Sequence, residues 1–411
     1  MTSDFVARQP IFTQRERVYG YELLFRSGLD ESFNGHDGDK ASCQVADHLL
    51  TLGQTLTQGR NAFINCTREF LVNDYAMLLP RENTVVEVLE TVEPDREVLD
   101  ACRRLKEAGY LIALDDFVYA DHSQPLIDLA DIIKVDFLGT SPPFRKWLIQ
   151  RFAPRGIRML AEKVETREDF EQAVKLGYQY FQGYFFCKPQ MVIGKRIPAF
   201  KPHYLRIVQE VMKPEMNFAE IENLMRREIS LTHKLLTYMN SALFGFRSEI
   251  RSIQHALTLL GEKEVKRMVL LVSALGLAQD KPPELIVTSL ARARCCELLA
   301  SVAGLVGQSS ALFLTGLFSL VDALLGRPME EILEQMAMPA DVKAALLGRE
   351  NALREIYEIV LAYERAQWKD LSQKLEKASL NESVIPDIYF ESLDWAKKVF
   401  DISPASSAAD R

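Results

Sequence analysis

Six polar residues recur through the first half of the chain at the spacing of a repeated structural unit. They are Asn65, Glu87, Asp115, Lys134, Glu162 and Gln182, separated by 22, 28, 19, 28 and 20 residues. Each stands at or near the end of a short apolar run, and Asp115 is followed at once by a second aspartate, Asp116. Carboxylates and an amide oxygen gathered on one face are hard ligands suited to Mg2+ or Mn2+. Successive side chains diverge at a strand end, so Asp115 and Asp116 could serve two ions. Two ions a few ångströms apart clamp the attacking water and the leaving oxygen of a phosphodiester during in-line displacement. Lys134 would then assist water activation or stabilise phosphoryl charge. Taken singly, each residue also has an ordinary structural reading. An Asp-Asp pair after a strand can close a turn or cap a helix. Glu87 and Glu90 can face solvent, Lys134 can snorkel, Asn65 can cap a helix beginning at Thr67, and Gln182 before Gly183 can end a strand. Together, and in phase, they fit one pocket.

The runs that carry these residues are NAFIN (61–65), VVEVLE (85–90), LIALDD (111–116), DIIKVD (131–136), IRMLAEKV (157–164) and YQYFQGYFF (178–186). Continuous apolar strands of this kind suit a parallel sheet covered on both faces. Between them lie helices such as PDREVLDACRRLKEAG, stopped by Gly109, and TREDFEQAVKLG, with Thr166 and Asp169 as a capping-box variant and Gly177 as its stop. One polar residue per βα unit predicts a (β/α) barrel whose C-terminal strand ends ring a single pocket. From about residue 203 the pattern turns helical throughout, with apolar residues at i, i+3 and i+4. The expected organisation is a barrel over 1–190, a Pro-containing basic linker over 191–202, an all-helical domain over 203–402 and a disordered tail over 403–411.

Composition narrows the function classes. A net charge of −8 over 411 residues gives no general attraction for a polyanion, and without a local basic patch nucleic-acid binding is not expected. The opening MTSDFVARQP lacks the charged-then-apolar pattern of a signal peptide, and no apolar run reaches about 18 residues, so no membrane association is expected and cytoplasm is the expected compartment. Six cysteines without CxxC spacing read as reduced core thiols rather than disulfides or a zinc site.

The motifs around these residues resemble the EAL-type cyclic di-GMP phosphodiesterase domains. The stretch VYGYELLFR resembles the signature segment, with Glu22 at the family glutamate, Leu23 where alanine is usual and Arg26 at the phosphate-contacting arginine. FINCTREFL, VVEVLE, LDDF, KVD, AEKVET and FQGYFF follow in order. The resemblance implies a modified TIM (β/α)8 barrel, with Glu22, Asn65, Glu87, Asp115 and Asp116 near Mg2+ or Mn2+. It implies assisting roles for Lys134, Glu162 and Gln182, a loop-steadying role for Glu90, and cyclic di-GMP or a related nucleotide as ligand. The departure follows the aspartates. Where the family continues DDFGTGYSSL, organising metals and a homodimer, this chain reads DDFVYADHSQPL: Val118 replaces glycine, and Tyr119 and Pro125 add bulk. Lys163 likewise stands where the family commonly has glycine.

The second half resembles the HDOD domain, a helical relative of HD phosphohydrolases without their metal site. ISLTHKLLTYMNSALFGF, IRSIQHALTLLG and FLTGLFSLVDALLG carry the resemblance. Its histidines, His203, His233 and His255, are not followed by aspartate; the His36-Asp37 dipeptide lies in a polar loop of the first half, where solvation is the ordinary state. Asn240 and Ser241 are expected to fix a helix end. An EAL barrel joined to an HDOD bundle resembles a bacterial signalling architecture. It implies a barrel that binds nucleotide with weak or no hydrolysis and an HDOD half that contacts a protein partner. An active phosphodiesterase and an empty-barrel scaffold are the alternatives.

Overall fold

A computed structural model describes residues 4–29, 53, 55–117, 119, 123–188, 201–213, 215, 217–226, 235–241, 250, 252–336 and 338–402. Two compact units emerge. The first comprises Met1–Phe186, Leu361–Lys377 and Asn381–Phe390; the second comprises Cys187–Val360, Ala378–Leu380 and Glu391–Arg411.

Eight strands of the first unit close into a barrel in sequence order. They are β1 (Asp4–Thr13), β2 (Val18–Ser27), β3 (Asn61–Cys66), β4 (Thr84–Val88), β5 (Leu111–Leu114), β6 (Ile132–Asp136), β7 (Arg158–Glu162) and β8 (Tyr180–Gln182). β1 is antiparallel to both β2 and β8, and every other neighbouring pair is parallel. This is the modified (β/α)8 barrel that the motifs imply. β3 to β8 fall on the six predicted runs. β1 does not, because Arg8, Gln9 and Pro10 interrupt its apolar pattern. Pro10 sits just before the three residues, Ile11 to Thr13, over which β1 meets β8.

Two layers of side chains fill the barrel. Ile11, Phe63, Val85, Ala113, Ile132, Leu160 and Tyr180 pack together as an apolar layer. On the chain from β3 to β8, the residue two places after each is Asn65, Glu87, Asp115, Lys134, Glu162 or Gln182. Strand side chains repeat with period two, so the polar set shares the inward face and forms the next layer toward the C-terminal strand ends. β1 runs the other way, so its counterpart is Gln9, two places before Ile11. On β2 the pair is Gly20 and Glu22. A Cβ at Gly20 would lie 2.6 Å from the Asn61 carbonyl oxygen and 3.1 Å from the Phe63 ring, so only glycine lets β2 approach β3 here.

The intervening helices begin and end where local chemistry dictates. α1 (Arg68–Val72) is capped by Thr67, whose hydroxyl accepts from the Phe70 N–H, so Asn65 is not the cap. α2 (Arg96–Glu107) is capped by Asp95, which accepts from the Val98 N–H at 2.9 Å. α3 (Gln124–Ile127) and α4 (Pro142–Phe152) follow β5 and β6. α5 (Arg167–Leu176) carries the predicted capping box of Thr166 and Asp169 and stops at Gly177, at φ +106.

Leu361–Lys377 and Asn381–Phe390, helical in sequence pattern, belong to the barrel's unit. The Tyr363 hydroxyl accepts from the Val6 N–H and donates to the Val6 carbonyl, each at 3.2 Å. The rings of Tyr363 and Trp368 both pack on Phe5. These contacts satisfy the stretch of β1 that β8 does not reach.

The second unit is helical where described, with helices at Lys201–Val211, Phe218–Arg226, Ile253–Leu277, Pro283–Val302, Ser309–Leu317, Val321–Leu325, Met329–Gln335 and Ala340–Leu346. Gly261, at φ +78, breaks the third of these at the boundary between the predicted segments SIQHALTLLG and KEVKRMVLLVSALGLA. The Asn240 amide accepts from the Ile250 N–H at 2.7 Å and donates to its carbonyl at 2.8 Å. Among the described residues no helix is long and apolar enough to cross a membrane. Among the described residues, Cys66, Cys102, Cys187, Cys295 and Cys296 are not disulfide-bonded. Cys43, the His36-Asp37 dipeptide, Val118, His233, residues 191–200 of the expected linker and the tail 403–411 lie outside the described residues.

Candidate functional site

The polar layer converges on one ammonium group. Lys134 Nζ lies 2.7 Å from Asp115 Oδ1, 2.8 Å from Glu87 Oε1, 3.1 Å from Glu162 Oε1 and 3.2 Å from Glu22 Oε2. Lys134 and Glu87 are fully buried. Glu22 is fixed from both sides: Asn65 Nδ2 donates to Oε1 at 3.1 Å, and Gln182 Nε2 donates to Oε2 at 2.6 Å. Gln182 Nε2 also donates to Gln9 Oε1 at 3.1 Å, adding a β1 residue that sequence reasoning missed. Backbone pairing sets the order: Asn65 is in register with Glu87, and Gln9 with Glu22. The turn carrying Asp115 is pinned across the barrel top, its N–H donating to the Val88 carbonyl at 3.0 Å and that of Phe117 to the Lys134 carbonyl at 3.1 Å.

Four carboxylates around one lysine leave an excess of negative charge, and the individual groups respond differently. Burial alone would raise the Glu22 pKa, but the Lys134 charge and the Gln182 and Asn65 hydrogen bonds outweigh it and hold the group below the usual carboxylate range. Burial dominates at the others. Glu162 is pushed up to about 8, and Glu87 and Asp115 are also raised, each opposed by Lys134 and reinforced by neighbouring acids. For Lys134 burial would lower the pKa, yet the attraction of Glu162, Glu22, Glu87 and Asp115 wins, and it stays charged.

The two adjacent aspartates part company, as expected at a strand end. Asp116 turns outward at φ +36, exposed, and meets Lys163 rather than Lys134. Arg26, half-buried near the end of β2, donates from Nε to the Gly28 carbonyl at 3.2 Å and is not among the groups around Lys134. Glu90 is exposed in the turn after β4, with no hydrogen bond or ion pair among the described residues. Of the rewritten loop, Tyr119 packs its ring against Trp147 of α4 with centroids 5.0 Å apart, and Pro125 lies in the first turn of α3.

Among the described residues, no three or more His, Cys, Asp or Glu side chains are set around a point suited to a metal ion, because the acids close on Lys134. The donor chemistry nevertheless fits a hard divalent cation. All the candidate ligand atoms are carboxylate or amide oxygens. Asn65 Oδ1, Glu87 Oε2 and Glu162 Oε2 are buried without a hydrogen-bond partner, an uncompensated state that a cation would relieve.

Comparison with known proteins places both halves of the chain. Residues 54–189 match the EAL domain and residues 197–358 match the HDOD domain. Over 97% of its length the chain is 35% identical to the uncharacterized protein YuxH of Bacillus subtilis, 99% of which is covered. Over 97% it is 32% identical to the cyclic di-GMP phosphodiesterase CdgJ of Vibrio cholerae, 94% of which is covered. A solved standalone EAL protein of Vibrio cholerae, in a cyclic di-GMP-bound form, is 24% identical with a TM-score of 0.35, covering 46% of this chain and 92% of that one. The chain belongs to the family of two-domain proteins in which an EAL barrel is joined to an HDOD helical domain.

Proposed function

We propose that this is a cytoplasmic signalling protein whose barrel, residues 1–190, binds cyclic di-GMP with weak or no hydrolysis, and whose helical half, residues 203–402, contacts a protein partner. The observation that carries the reading is the retained ring of Glu22, Asn65, Glu87, Asp115, Lys134, Glu162 and Gln182, beside an Asp116 that faces Lys163 instead. Four carboxyl groups around one ammonium offer a bisphosphate ligand no net positive charge, so the reading requires added cations, which would also displace the protons that burial favours on Glu162, Glu87 and Asp115. Glu22, Asn65, Glu87 and Asp115 would hold Mg2+ or Mn2+, whereas Asp116, expected among the ligands, turns to Lys163. When bound, such an ion supplies Lewis-acid stabilisation of phosphate oxygen and an acidified water.

The chain's own groups do the rest. Lys134 offers a fixed positive charge to a phosphate oxygen. Glu162, with its pKa pushed up to about 8, exchanges a proton near neutral pH, the range a general acid or base needs. Gln182 and Asn65 orient Glu22. Arg26 would turn from the Gly28 carbonyl to a phosphate, and Glu90 would brace the loop after Asp116.

A second reading, efficient hydrolysis to the linear dinucleotide, is favoured by the full-length similarity to a protein named as a cyclic di-GMP phosphodiesterase. Timed incubation of the full chain with cyclic di-GMP, Mg2+ and Mn2+, resolved by chromatography, separates the two. Bound nucleotide with little linear product supports the proposal. Multiple turnovers, abolished by Glu22→Ala, establish hydrolysis. Neither binding nor product leaves only the scaffold.

A further inference from the structure

A second ammonium sits beside the ring. Lys163 follows Glu162 directly and adopts φ +55, the left-handed conformation that glycine enters freely and a lysine does not. Asp116 is left-handed as well, at φ +36. Lys163 Nζ lies 2.7 Å from Asp136 Oδ2 and 3.8 Å from Asp116 Oδ1. Asp136 is itself fixed, since its Oδ1 accepts from the Gly139 N–H at 2.7 Å and its backbone is in register with Glu162 across β6 and β7. The lysine is therefore anchored by Asp136 and presents its charge to the outer member of the aspartate pair.

We propose that Lys163 is a built-in counter-ion that limits the site to one divalent cation, with Asp116 withheld from a second. This rests on the reading of the ring as a metal site. The two lysines differ in what surrounds them. Lys134 faces four carboxylates, leaving negative charge that a divalent ion can share. Lys163 faces two, Asp136 and Asp116, and leaves a single excess negative charge. A second ion held by Asp116 would have to sit within a few ångströms of an ammonium and be repelled by it, although both side chains are about half exposed to solvent. With one ion, phosphate is still bound. The clamp on both the attacking and the leaving oxygen is incomplete, so slow hydrolysis follows from the same residue.

The test counts ions directly. Full-length protein is titrated with Mn2+, bound metal being counted by electron paramagnetic resonance of the free ion and affinity read by calorimetry, for wild type, Lys163→Gly, Lys163→Gln and Lys163→Arg. One Mn2+ per chain is expected for wild type and Lys163→Arg. Two are expected for Lys163→Gly and Lys163→Gln, with the second bound at least about tenfold tighter than any second event in wild type. Lys163→Gln removes the charge at a backbone position that stays strained, whereas Lys163→Gly removes both. Two ions in wild type, or one in all four proteins, would overturn the proposal. So would a second ion in Lys163→Gly but not in Lys163→Gln, because conformation and not charge would then be the cause. No Mn2+ bound by any of the four would overturn the metal reading on which it stands.

Discussion

Glu22 and Glu162 are buried carboxylates within reach of the same ammonium, yet their protons are held in opposite senses. Three donors converge on Glu22, while Glu162 has an orphaned Oε2 and only the shared lysine. The difference predicts a pH dependence of stability. Glu162 has a folded pKa of about 8 against an ordinary 4.5, so its stabilising contribution is complete below about pH 4.5 and is lost as pH rises through 8. Glu22 acts oppositely and below that window: its contribution is present above the ordinary carboxylate pKa and is lost as pH falls through its lowered folded value. In chelator, the melting temperature should therefore fall between pH 5 and 8, and Glu162→Gln should reduce that slope. An unchanged slope in the variant would assign the effect elsewhere. Most of the ring was legible as residues, because each member sits two places beyond an apolar strand position. Gln9 and Asp136 were not. Gln9 is hidden by Pro10 on an unrecognised strand, and Asp136 shares a run with Lys134 when only one polar residue per run was counted.

At the scale of elements, the parallel strands announce themselves because a strand inside a barrel must be apolar on both faces. β1 carries Arg8, Gln9 and Pro10 and satisfies part of its backbone through Tyr363 instead of a neighbouring strand. No local pattern signals that. Tyr363→Phe should cost about 1–3 kcal/mol by stranding the Val6 N–H and carbonyl, measurable by urea denaturation; no change would mean that water replaces the hydroxyl. The strand end after Gln182 makes a stricter demand. A Cβ at Gly183, at φ +144, would lie 2.1 Å from the Val164 carbonyl oxygen. Gly183→Ala should therefore separate β8 from the segment after β7, lowering the melting temperature and displacing Gln182 from Glu22. A variant with wild-type stability would contradict that packing.

The whole molecule illustrates a limit of patterning. Amphipathic spacing identified the helix within residues 352–366 but could not say which core its apolar face enters. Leu361–Lys377 joins the barrel's unit although it lies far beyond the barrel in sequence. Fold class and ring were readable because both repeat at a fixed interval, whereas contacts separated by hundreds of residues leave no local trace. The central claim concerns the ring as a nucleotide site, and calorimetric titration of the full-length protein with cyclic di-GMP in Mg2+ or Ca2+ tests it most directly. The account predicts saturable binding that weakens at least about tenfold in Glu22→Ala, since that carboxylate joins Asn65, Lys134 and Gln182. No heat of binding at high micromolar nucleotide, or equal binding by Glu22→Ala, would contradict it.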